Sequence, residues 1–321
     1  MIEYLFFVLG IAFLIKGADY LVEGSSSLAK KLGVSNLVIG LTIVAFGTSM
    51  PELVVNVLSS IKGTGNIALG NIIGSNISNI LLILGIVALI TNLKVQHSTT
   101  WKEIPFSFLS VIVLFIFSSV YFLDKINISY LLRTEGIILL LFFMIFLYYV
   151  FELAKRKKSE LEKKKIVIKE RSGLTILLMI VGGLVGLYLG GRWTVNGAIS
   201  IAQSLGLSEF LISATVIAIG TSLPELVTSI KAALKQNVDL AVGNIVGSNI
   251  FNIFWVLGVT AVIRPIPIPR FAFIDIGILL FVTGILFLFM FVGKKHQLDK
   301  WQGALFVLMY ISYLIFLIIR G

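Results

Sequence analysis

No cysteine occurs in this chain of 321 residues, which excludes disulfides, thiolate metal sites and cysteine nucleophiles. Histidine is nearly absent: His97 and His296 both fall in predicted loops, so a buried metal would have to take oxygen ligands. Charge is scarce as well, at 13% of residues against 58% hydrophobic, and the mean hydropathy of +1.03 lies far outside the range of soluble domains. The solvent that suits this composition is lipid.

Apolar runs of the roughly 20 residues needed to cross about 30 Å of hydrocarbon recur along nearly the whole chain. Ten are predicted, over 2–23, 36–60, 67–91, 104–122, 132–153, 173–199, 209–233, 238–262, 271–292 and 301–319. The N-terminus reads Met-Ile-Glu, without a basic n-region or a cleavage site, so the first run is read as a retained helix and not a signal peptide. Positive charge is in excess, at a net +10, but no nucleic-acid partner follows, because the basic residues occupy alternate loops. With the N-terminus outside, about 18 of the 26 Lys and Arg lie on the cytoplasmic side, the bias that topology rules require. Nine of them crowd the segment 154–172, which reads as a solvated linker: Lys155, Arg156, Lys157, Lys158, Lys163, Lys164, Lys165, Lys169 and Arg171.

The main feature is a repeat at a constant offset of 173 residues, without a gap. Thr42-Ile-Val-Ala-Phe-Gly-Thr-Ser-Met-Pro-Glu-Leu-Val54 matches the segment Thr215 to Val227, and Ala68-Leu-Gly-Asn-Ile-Ile-Gly-Ser-Asn-Ile-Ser-Asn-Ile80 matches Ala241 to Ile253; 19 of these 26 positions are identical. Gly17, Gly24 and Gly33 have mates in Gly190, Gly197 and Gly206. Shared hydrophobicity alone would not repeat glycine, proline, asparagine and glutamate in register. Five spans per half is an odd number, so the second half, 173–321, must enter the membrane opposite to the first, 1–153. The predicted fold is therefore an all-α integral membrane protein of two inverted five-helix repeats joined by the basic linker, an organisation recurrent among secondary transporters.

In the first repeated block, Gly47 and Pro51 interrupt an apolar span and free backbone carbonyls between Ala45 and Thr48; the second half repeats this from Ala218 to Thr221. Glu52 and Glu225 follow directly. Two carboxylates at mid-membrane cost on the order of 5 to 7 kcal/mol, and no lysine or arginine lies at the same depth of the repeated blocks, so the counter-charge must be a proton or a bound cation. Carboxylates, carbonyls and hydroxyls form a hard, oxygen-only set suited to Ca²⁺. In the second block Asn71, Ser75 and Asn79 recur at helical spacing on one face, as do Asn244, Ser248 and Asn252, and Gly70 with Gly74 and Gly243 with Gly247 provide close helix approach. Lys16, Asp19 and Glu23 read as interfacial charges and not as ligands.

On these residues the sequence resembles the calcium/cation antiporter superfamily, in its sodium/calcium exchanger branch of prokaryotic type, whose paired repeats carry Gly-Thr-Ser-x-Pro-Glu and then Gly-Asn-x-x-Gly-Ser-Asn. The resemblance implies that Glu52 and Glu225 chelate Ca²⁺ with the carbonyls of Thr48 and Thr221. It draws the sodium sites from Ala45, Thr48, Ser49, Ser75, Ala218, Thr221, Ser222 and Ser248, with Asn79 and Asn252 in the central layer. One departure stands out: some members have an aspartate where this chain has Asn252, so only two carboxylates remain.

The expected function is electrogenic Na⁺/Ca²⁺ antiport by alternating access, without a catalytic residue or a cofactor, in a multi-pass protein of the plasma membrane that works as a monomer without an obligatory protein partner. The alternative is a Ca²⁺/H⁺ or K⁺-dependent exchanger of the same superfamily. An intramembrane hydrolase is disfavoured, because two glutamates without a nucleophile-base pair make poor catalytic machinery. A channel would conduct without an obligatory counter-ion.

Overall fold

The computed structural model describes residues 2–62, 65–119, 129–161, 171–204 and 220–320. Its helices are α1 (Ile2–Leu32), α2 (Asn36–Thr48), α3 (Met50–Lys62), α4 (65–90), α5 (Thr99–Ser118), α6 (Arg133–Leu161), α7 (Gly173–Ser204), α8 (Leu223–Leu234), α9 (Val238–Ile263), α10 (Arg270–Phe289) and α11 (Lys300–Arg320). Four short strands lie between them: β1 (Leu93–Lys94), β2 (Ser129–Leu131), β3 (Ile266–Ile268) and β4 (Gln297–Leu298). Among the described residues seven helices are long and apolar enough to cross a membrane, or eight if the bent pair α2 and α3 counts as one span. The chain is thus a helical, multi-pass membrane protein. The expected span at 209–233 is described only from residue 220 onward, and Ala218, Gly206 and residues 162–170 of the linker lie outside the described residues.

The bend between α2 and α3 measures 44° and falls where the sequence places Pro51, whose ring clashes with the preceding turn and which has no N–H for the carbonyl of Gly47. Ser49 at the break leaves the helical region at φ −84°, ψ 6°. Its mate Ser222, before Pro224, adopts φ −86°, ψ 4°, so the two repeated motifs turn the chain in the same way.

The helices α4 and α9, which carry the second motif, are the interior of the bundle. In their most apolar windows 78% and 83% of residues are buried, against 22–44% for the other candidate spans. Each contains a stretch of wider, π-type turns, at Asn79–Leu84 and Phe251–Leu257, which coincide under the 173-residue offset to within one residue. Such stretches disturb the regular backbone ladder and are frequent at functional sites.

Contacts cross between the halves. Gly85 of α4 lies against Gly303 of α11, while Gly258 of α9 lies against Gly136 of α6. The strands follow the same logic: β1 of the first half pairs antiparallel with β4 of the second, and β2 with β3. The helices α1 and α7 pack on each other through small residues, where Gly17 meets the carbonyl of Gly183 and Gly190 meets the carbonyl of Gly10. Gly10 and Gly183 are themselves 173 residues apart, so this helix crossing obeys the repeat. Gly243 and Gly247 pack closely on α2, at Gly40 and at Leu41 and Ala45. The segment that would stand in the same relation to Gly70 and Gly74 lies outside the described residues.

Where α1 approaches α8, charge joins the helices. Asp19 meets Lys231 at 3.2 Å and Lys235 at 3.1 Å, and Glu23 meets Lys235 at 3.0 Å and Arg171 at 2.9 Å. Burial opposes the charged form of Lys235, but its hydrogen bonds to Glu23 and Asp19 outweigh this and raise its pKa.

Candidate functional site

The bends bring Glu52, in the first turn of α3, and Glu225, in the first turn of α8, into the interior, where they are 0% and 1% exposed. A helix N-terminus is a favourable place for a carboxylate, because the unpaired N–H groups there carry partial positive charge. Each glutamate uses Oε1 to accept from a serine of its own half: Ser75 Oγ donates to Glu52 at 3.3 Å and Ser248 Oγ to Glu225 at 3.5 Å. Glu225 Oε1 also accepts from Ser49 of the other half, at 3.1 Å. The second oxygen, Oε2, of both carboxylates is buried without a hydrogen-bond partner. Among the described residues neither glutamate has an ion-pair partner.

The remaining polar residues form a ring that repeats across the halves. Thr48 Oγ1 donates to Asn244 Oδ1 at 3.0 Å and lies 3.5 Å from Ser248; Thr221 Oγ1 donates to Asn71 Oδ1 at 3.2 Å and lies 3.3 Å from Ser75. Behind them Asn71 donates to Asn56 at 3.4 Å, as Asn244 donates to Ser229 at 3.0 Å. Asn79 and Asn252, at the start of the widened turns, are buried, and each keeps its Oδ1 without a partner; Ser222 Oγ is likewise buried and unpartnered. Ala45 is buried one turn before Ser49.

The structure thus gathers Thr48, Ser49, Glu52, Ser75, Asn79, Thr221, Ser222, Glu225, Ser248 and Asn252 in one interior region, with Ala45 at its edge. Asp19 and Glu23 do not join it; they face Lys231, Lys235 and Arg171 instead. The sequence does not single out Asn56 and Ser229 behind the ring, nor Asn76 and Asn249. Asn76 and Asn249 stand in the repeated Gly-Ser-Asn, three residues before Asn79 and Asn252, but spacing gives no sign of what they hold.

Buried acceptors without donors are what a cation requires. Around the two glutamates, two carboxylate oxygens, two amide oxygens and the hydroxyl of Ser222 are left open, a set of hard oxygens. A bundle of membrane-length helices around such a set is that of a membrane cation transporter. The family model described as sodium/calcium exchanger protein matches residues 2–152 and again 175–319, once for each half. The chain belongs to that family, which comprises transporters and not catalysts. It is 30% identical to the sodium/calcium exchanger MaX1 of Methanosarcina acetivorans over 98% of both chains. It is 34% identical to the inner membrane protein YrbG of Escherichia coli over 93% of this chain and 91% of that protein. Among solved structures, the sodium-calcium exchanger NCX_Mj soaked with Na⁺ and Sr²⁺ superposes with a TM-score of 0.81 at 32% identity, over 98% of each chain. The chain is thus a cation antiporter related to calcium exchangers.

Proposed function

We propose that this antiporter exchanges Na⁺ for Ca²⁺, electrogenically and by alternating access, at the site around Glu52 and Glu225. The observation that carries the reading is the pair of buried carboxylates, each with one oxygen held by serine and the other open, and neither with an ion-pair partner among the described residues. One Ca²⁺, taken as substrate, would neutralise both glutamates and complete its shell with the carbonyls of Thr48 and Thr221. Two Na⁺ would do the same electrostatically, drawing on Ala45, Ser49, Ser75, Ala218, Ser222 and Ser248. A third would rest on the neutral oxygens of Asn79 and Asn252. Because the ions share ligands, their occupancy is mutually exclusive, and that competition couples the two fluxes.

The eight candidate spans, together with α1 and the incompletely described span at 209–233, make ten, which we read as two five-helix units of opposite orientation, 1–153 and 173–321. The N-terminus lies outside and the basic linker in the cytoplasm of a cell with this protein in its plasma membrane. The site draws on both halves of one chain, which supports a monomer as the working unit, without a bound cofactor.

The test is ⁴⁵Ca²⁺ uptake into proteoliposomes under an outward Na⁺ gradient, an outward proton gradient or an outward K⁺ gradient, at clamped potential. Uptake driven by Na⁺ and indifferent to pH is expected. Uptake driven only by protons would replace the sodium assignment, and a requirement for K⁺ alongside Na⁺ would place the chain with the sodium/potassium/calcium exchangers, to which it is also similar over about half its length.

A further inference from the structure

We infer that Asn76 and Asn249 are positioning residues: each orients a central asparagine of the opposite half so that its amide oxygen, and not its N–H₂, faces the cation path, and thereby sets sodium affinity apart from calcium affinity. This rests on the sodium/calcium reading above.

An amide has an oxygen and a nitrogen of nearly equal size, so a buried asparagine in an ion site can present either, and only its hydrogen-bond partners decide which. Here the choice is anchored by a group that can only accept. The backbone carbonyl of Asn249 takes a hydrogen bond from Asn76 Nδ2 at 3.2 Å, which fixes Asn76 with Oδ1 on its other side. That oxygen accepts from Asn252 Nδ2 at 2.9 Å, so the nitrogen of Asn252 is committed and its Oδ1 is left open. The mirror contact runs from Asn79 Nδ2 to Asn249 Oδ1, also at 2.9 Å, and leaves Asn79 Oδ1 open. All four side chains are at most 2% exposed, so water does not compete for these bonds. Every bond joins one half of the chain to the other.

Asn79 lies one turn beyond Ser75, which holds Glu52, and Asn252 one turn beyond Ser248, which holds Glu225. The two central asparagines therefore stand one turn from the serines that hold the carboxylates but are oriented by other partners. Without the clamp each amide can rotate and present N–H₂, which repels a cation. A monovalent ion bound largely by neutral oxygens loses most from this; Ca²⁺, bound chiefly by the two carboxylates, loses little.

The experiment compares wild type with Asn76→Ala and Asn249→Ala in proteoliposomes. Calcium self-exchange, ⁴⁵Ca²⁺ against unlabelled Ca²⁺ without sodium, reports the carboxylate site alone, and the Na⁺ concentration that half-inhibits it reports sodium binding. Each variant is expected to raise the half-inhibiting Na⁺ concentration about five- to ten-fold, the weight of one buried hydrogen bond, and to move the half-saturating Ca²⁺ concentration less than about two-fold. Asn76→Ser and Asn249→Ser, which keep a small polar group but are too short to reach across, provide a second pair should the alanine variants fold poorly, and the same split is expected. Unchanged sodium inhibition, or parallel loss of both affinities in the serine variants, would overturn the inference. Absence of sodium inhibition in the wild type would instead overturn the sodium reading beneath it.

Discussion

Glu52 and Glu225 are mates in the repeat, yet they are not held identically. Each accepts from the serine of its own half, but Glu225 also takes the hydroxyl of Ser49, whereas Ser222, the mate of Ser49, has a buried hydroxyl without a partner. A hydrogen bond to an ionised group contributes roughly 1.5 to 3 kcal/mol, so Ser49→Ala is expected to weaken calcium binding by at least about ten-fold. Ser222→Ala is expected to leave it nearly unchanged while weakening sodium inhibition; calcium titrations of self-exchange on both variants check this. The charge itself matters more. Glu52→Gln or Glu225→Gln leaves a single carboxylate facing a divalent ion, and ⁴⁵Ca²⁺ flux should fall by more than about a hundred-fold in either variant, the cost of leaving a buried charge half compensated. The glutamates, the hydroxyls and Asn79 with Asn252 were legible in the sequence, because polar residues in an apolar span have few reasons to exist. Asn76 and Asn249 were not, since their part depends on which neighbour turns which end of an amide, and nothing in spacing encodes that.

At the scale of elements, the glycines of α1 and α7 set how near two long helices stand. A Cβ on Gly17 would lie 2.8 Å from the carbonyl oxygen of Gly183 and 2.8 Å from the nitrogen of Leu187, and neither is a flexible end that can move aside. Gly17→Ala must therefore push the helices apart. The glutamates and the own-half serines that hold them belong to α3, α4, α8 and α9, so calcium should still raise the melting temperature of this variant as in wild type, while transport turnover falls several-fold. Gly182→Ala, whose added Cβ would meet nothing within 4 Å beyond its own turn of helix, should alter neither and serves as the control. That Gly17 and Gly190 are counterparts could be read from the repeat, though not that they meet Gly183 and Gly10, and Pro51 announced the bend in the second span. The widened turns at Asn79–Leu84 and Phe251–Leu257 could not be foreseen, because an i to i+5 turn leaves the same apolar composition as an ordinary helix. Nor could the crossed packing of α4 on α11 and α9 on α6, which depends on long-range docking of uniformly apolar surfaces that carry no complementary pattern.

For the whole molecule, the repeat imposes near-equivalence on the interior but not on its edges. Asp19 and Glu23 on α1 meet Lys231 and Lys235 at the far end of α8, whereas the mates of Asp19 and Lys231 are Arg192 and Leu58, so no equivalent ion-pair cluster follows from the repeat in the other half. The sequence disclosed those charges but not their partners, some 212 residues away. At the site the balance is simpler: two carboxylates, no ion-pair partner for either among the described residues, and two open amide oxygens. Ca²⁺ and a pair of Na⁺ leave the same net charge on this site, so exchange of two Na⁺ for one Ca²⁺ would ignore voltage, and a voltage response requires a third Na⁺ on the neutral oxygens. In vesicles where Na⁺ leaves as Ca²⁺ enters, three-for-one exchange carries one positive charge outward per cycle and is favoured by an inside-positive potential. One charge across 100 mV corresponds to about 2.3 kcal/mol, so clamping the lumen at +100 mV should raise the limiting ratio of internal to external Ca²⁺ about fifty-fold over that at zero potential. A ratio that does not move with potential would mean that the amide oxygens carry no sodium, and that two carboxylates alone set the stoichiometry.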